Sequence, residues 1–167
     1  MSMNVKPRKP KTAERGQALV EFMLILPALL ILVIGVIEFG KLMVVYSSIS
    51  TASRDAARFA VSVGEGAAGL PNYQNCQQIR AEVTKIALFS NPVITIFLDA
   101  DGPGGAAPVE YCTGGAAADS ISVSLGAQII VRVATNYQPI TPFVNIPSIP
   151  ITSEARRTVL TGIQIQN

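Results

Sequence analysis

The 167 residues allow one modest domain and little more, which excludes a multidomain enzyme. Hydrophobic residues make up 49% of the chain and charged residues 14%, too apolar for disorder and enough to require a search for a membrane segment. Without a single His, imidazole general bases, His metal sites and Ser-His-Asp or Cys-His nucleophile systems are all excluded.

The net charge of +2 is unevenly placed. Five of the 13 bases but one of the 11 acids lie in residues 1–16 (Lys6, Arg8, Lys9, Lys11 and Arg15 against Glu14), so this leader is +4 and the rest of the chain is −2. The basicity therefore marks a leader rather than a nucleic-acid-binding surface. Directly behind it, Phe22 to Ile37 carries no charge, and apolar flanks extend it to a span near residues 18–45. Bases crowd the N-terminal side, so the positive-inside rule predicts a single pass with the leader in the cytoplasm and the C-terminal body outside. A cleaved secretory signal is the rival, but the run is long, contains Glu38, lacks a small-x-small site directly after it and continues in helical pattern. Glu38 and Lys41 are spaced to pair near the outer boundary, and Pro27 is expected to loosen the helix locally.

The junction KPKTAERGQALVEF places a Gly at the end of the basic leader and an acid five residues later. This resembles a type IV prepilin. The wider string RGQALVEFMLILPALLILVIGVIEFGKL, followed by YSSISTASRDAARFAV, is similar to the TadE-like family of pseudopilins of tight-adherence pili, closely over residues 15–63. The resemblance implies cleavage between Gly16 and Gln17 by a membrane prepilin peptidase, Glu21 as the fifth mature residue, and other pilin or pilus-assembly subunits as partners beside the lipid bilayer. It also implies that Glu21 meets a neighbour's new amine during assembly; the alternative is an interfacial acid at the helix start.

No Pro or Gly occurs from Leu42 to Val63, so the helix is expected to run on, spanning roughly 70 Å from Gln17 to Val63 at 1.5 Å per residue. Ala52, Ala56 and Ala60 form a stripe open to close packing by another helix or by the chain's own globular part, and Asp55 and Arg58 are spaced to pair. Gly64, Gly66, Gly69 and Pro71 break the helix. The expected organisation is thus a leader at 1–16, a transmembrane and stalk helix at 17–63 and an extracytoplasmic domain at 64–167.

Asn75 is a plausible cap for an amphipathic helix with Ile79, Val83, Ile86 and Ala87 on one face, stopped by Asn91-Pro92. VITIFL (93–98) reads as a strand; SISVSL (120–125) and QIIVRVATNY (128–137) read as a hairpin about Gly126-Ala127; a Pro-rich connection containing Pro139, Pro142, Pro147 and Pro150 leads to a last β segment with Val159, Ile163 and Ile165. The fold class is α+β: a long N-terminal membrane-spanning helix continuing into a small domain with a helix and an antiparallel sheet of about four strands. There is no internal repeat.

Cys76 and Cys112 lie on the side expected to face outward, where a disulfide would persist, although two free thiols remain the alternative. Asp99, Asp101, Gly104 and Glu110 match the first, third, sixth and twelfth positions of an EF-hand loop. Pro103 takes a ligand position there and the flanks are not helices, so a solvated turn is expected and no metal. Neither the Arg156-Arg157 doublet nor any Ser or Thr has a catalytic partner; no cofactor, small-molecule substrate or enzymatic activity is expected. The resemblance favours a structural role in pilus assembly, against the alternative of an anchored extracytoplasmic binding module that never enters a filament.

Overall fold

The computed structural model describes residues 12–64, 69–102, 105–115, 121–140 and 147–160. Helix α1 covers Thr12–Val61, and the chain divides into two compact units, Met1–Gly40 and Lys41–Asn167. Within the first unit the large apolar side chains from Leu19 to Phe39 are exposed, with Leu24 at 74%, apart from the half-buried Leu26. Pro27 sits inside α1, and the helix continues through it.

In the second unit the same helix changes character. Val45, Ile49, Ala52, Ala56 and Ala60 recur at helical spacing, all buried to within 1% of full burial, and join the domain core with Ala57. The alanine stripe therefore packs into the chain's own domain, which resolves the two partners open to it from sequence. Val45 was also expected to belong to the membrane span; its 1% exposure places it in the core instead. A polar contact between Ser53 and Ser153 crosses this layer. Ser53 Oγ donates to the Ser50 carbonyl and lies 2.9 Å from Ser153 Oγ, which leaves Ser153 as donor in that bond.

After α1, Asn72 Nδ2 donates to Ser62 Oγ at 2.8 Å, fastening a 3-10 turn (Asn72–Gln74) to the helix end. Asn75 then caps α2 (Cys76–Ile86), its side chain accepting from the Gln78 N–H at 3.1 Å. Ile79 and Val83 are buried, as the periodicity predicts. The helix stops before Asn91-Pro92, however. The Ala87 N–H closes on Val83 O, and Phe89 then takes φ 55°, a left-handed conformation that ends any helix.

The sheet has the order β2-β1-β3-β4, antiparallel throughout, formed by β1 (Val93–Asp99), β2 (Val109–Tyr111), β3 (Gln128–Tyr137) and β4 (Ile149–Thr158). Register fixes its two faces: Ile96, Val131 and Ala155 lie in one row towards the core, whereas Thr95, Arg132 and Glu154 lie in a row on the other face. Two expectations need correction. Residues 121–125 form no strand: Ile121 and Val123 pack on the core and Leu125 is exposed, so β3 pairs with β1 and β4 and makes no hairpin with them. Pro150 belongs to β4 rather than to a connection, which an edge strand tolerates because its outer N–H positions need no partner. Pro142, Ile163 and Ile165 lie outside the described residues.

Candidate functional site

The residues expected to serve processing and assembly share the first turns described for α1. Gly16 stands in open surroundings, where a Cβ would meet nothing within 4 Å, so its lack of a side chain is not required by packing. One turn on, Gln17 Nε2 donates to Glu21 Oε1 at 3.3 Å, both side chains being exposed on one helix face. Behind them α1 is long and apolar enough to cross a membrane, and none of its most apolar 18-residue window is buried within the protein. Such a surface is stable in hydrocarbon and costly in water. The leader bases Lys6, Arg8, Lys9 and Lys11 lie outside the described residues.

That helix decides the comparison. Residues 16–58 match the family model described as TadE-like protein. The match begins at Gly16, covers about a quarter of the chain and supports a TadE-like protein. No curated protein and no solved structure matches the chain. The TadE-like segment thus includes the exposed apolar half of α1 and most of the half that enters the domain core.

Outside the TadE-like segment, Cys76 and Cys112 form a disulfide, with their Cα atoms 5.6 Å apart. It joins the first residue of α2 to the residue after β2, and Arg80 Nη2 donates to the Cys112 carbonyl beside it. The EF-hand-like positions behave differently from a solvated turn. Asp99 ends β1 at 4% exposure with Oδ1 lacking a hydrogen-bond partner, Asp101 is exposed and accepts from the Ala106 N–H, and Glu110 is in β2 opposite Phe97. Gly104 lies outside the described residues, and among those described no three acidic, Cys or His side chains gather as metal ligands.

Two polar clusters were not anticipated from sequence. On the outer sheet face Glu154 pairs with Arg132 at 2.8 Å and with Arg156 at 2.9 Å, while Arg132 stacks 5.0 Å from the Phe97 ring centre. The Arg132 hydrogen bond holds the Glu154 carboxyl below the ordinary glutamate range; partial burial opposes this, and Arg156 adds to it. Arg156 of the doublet thus has a structural partner.

The second cluster is an open groove of about 900 Å³ at the end of the sheet where β1 begins and β3 ends. Lys41 supplies its cation. The ammonium donates to Gln138 O at 3.1 Å and sits 5.1 Å from the Tyr137 ring centre. The groove draws on α1, the α2–β1 connection, β3 and β4, a convergence that no local motif announces.

Proposed function

We propose that this chain is a TadE-like minor pilin or pseudopilin that acts structurally, not catalytically, in the assembly of tight-adherence pili. The observation that carries the reading is the coincidence of the family match, which starts at Gly16, with the exposed apolar helix that follows it. In this reading the +4 leader stays in the cytoplasm, the apolar part of α1 crosses the cytoplasmic membrane, and the disulfide-bonded domain lies outside. Prepilin peptidase cuts between Gly16 and Gln17. The open surroundings of Gly16 are compatible with this, because packing does not require its lack of a side chain and recognition by a peptidase gives another reason for it. The cut turns Gln17 into the new amino terminus.

Glu21 then stands one turn from that amine. An acid inside an apolar helix costs about 2.5 to 3.5 kcal/mol on insertion scales, which favours a positive partner. A neighbouring subunit's new amine is such a partner, and pilus subunits are the partners the family suggests.

The deciding measurement is the mature N-terminus by mass spectrometry from the native host, expected at Gln17. Gly16→Leu should leave the leader attached, whereas Glu21→Ala should be cleaved and membrane-anchored but fail to assemble. Should both variants give the wild-type N-terminus and assemble normally, the pilin reading is lost. The competing reading, an anchored binding module outside any filament, is favoured by the open groove and would then take its place.

A further inference from the structure

We propose that the groove around Lys41 is a seat for the phosphate headgroups of anionic phospholipid, so that the domain rests on the bilayer its own helix crosses. The proposal builds on the membrane-anchored reading and adds a second, chemically distinct contact to it.

Three observations converge. First, Lys41 opens the second compact unit, one residue after Gly40 and two after the exposed Phe39. Covalent continuity therefore holds the Lys41 wall of the groove at the end of the apolar run, within reach of the headgroup layer. Second, the lining chemistry suits a phosphate. Lys41 gives one of its three ammonium protons to Gln138 O. Thr152 and Asn136 add hydroxyl and amide donors, Ser90 brings an Oγ with no hydrogen-bond partner, and no Asp or Glu occurs among the described lining residues. Third, the rim carries exposed apolar side chains, Phe89 at 78% with Val93 and Ile140, beside the exposed polar Asn91, Asn136, Gln138 and Thr152. A cation flanked by exposed apolar side chains matches the two layers of a membrane surface, phosphate outside and acyl chain beneath. Phe89 is carried outward by its left-handed backbone, a conformation uncommon for a bulky residue.

The chain contains no Trp, so Phe89→Trp introduces a single fluorophore at the rim. The full-length protein would be reconstituted in phosphatidylcholine vesicles containing a minor fraction of phosphatidylglycerol, with bromine on the acyl chains of one lipid or the other. Val109→Trp is the control, because Val109 pairs with Leu98, about 17 Å along β1 from the groove residue Val93 at 3.3 Å per residue. Ile140→Trp provides a second rim position should Phe89→Trp misfold, and resistance of the disulfide to thiol labelling reports folding.

Quenching by brominated lipid at the rim and not at position 109 is expected, with brominated phosphatidylglycerol over-represented about fivefold relative to its share, the equivalent of about 1 kcal/mol for one Lys at an anionic surface. Adding Lys41→Glu should remove that enrichment while the protein still floats with the vesicles. Rim fluorophores quenched no more than the control, in protein that floats, would overturn the lipid seat and leave the anchor intact. Failure to float would instead overturn the anchor. An emission shift on adding inorganic phosphate to lipid-free protein, without lipid preference, would assign the groove to a free anion. Concentration-dependent shielding without bromine quenching would assign it to a second copy; either result overturns the proposal.

Discussion

Two stretches of one helix differ in composition and have opposite fates. Between Leu19 and Phe39 α1 carries Leu, Ile, Val, Met and Phe all round and buries none of the large ones; between Val45 and Ala60 it carries mainly small residues on one stripe and buries that stripe completely. Composition separates them, since Arg54, Asp55 and Arg58 lie in the second stretch and Phe22 to Ile37 carries no charge, and so do side-chain volume and periodicity. Bulk on every face suits a fluid solvent of acyl chains, whereas a narrow stripe of alanines lets a sheet approach the helix backbone closely.

The contrast is most sharply broken by Leu30→Arg. Arg at the centre of the exposed stretch should cost about 2.5 to 3.5 kcal/mol in insertion and reduce membrane-fraction recovery severely, while the disulfide-bonded domain keeps its melting temperature in detergent. Ala56→Leu should do the reverse. Overpacking against the sheet should cost about 1 to 3 kcal/mol by denaturant unfolding and leave vesicle flotation unchanged. If either variant impaired both properties equally, the two stretches would not be separable in function.

The smallest effect concerns the sheet face opposite the core. Because Arg132 and Arg156 depress the Glu154 carboxyl, its contribution is present above the unfolded-state range near pH 4.3 and is lost as pH falls through the lower folded value. The pair is partly exposed, so the contribution is at most about 1 kcal/mol. Glu154→Gln should flatten the acid limb of the stability–pH curve without altering flotation, as read by unfolding at pH 3 and pH 7.

The same distinction explains what could be read from sequence. The apolar helix, the Asn75 cap, β1 and β3 follow from local pattern, because burial periodicity and capping chemistry are short-range. Residues 121–125 show how alternation misleads. Ile121 and Val123 do face inward, but Gln74 Nε2 and Ser124 Oγ bond the Ile121 and Ala100 carbonyls, and the Ala127 carbonyl accepts from Val159, so the segment is held without a ladder of its own. Three-residue β2 gives no pattern at all; its strand character comes from β1 beside it. Gly16, Gln17 and Glu21 lie within six residues of one another, so sequence alone singles them out as one candidate motif. The groove was not, since Lys41 and Thr152 are brought together only by the fold.

The Cys76–Cys112 bond closes a ring containing α2, β1, the Gly/Ala-rich connection and β2, while β3 and β4 lie beyond it. A protease that severs one peptide bond between the two cysteines opens this ring but releases no fragment, and α1 stays covalently joined to the strands downstream. A single nick between β1 and β2 therefore leaves the chain in one covalent piece for as long as the bond stays oxidised.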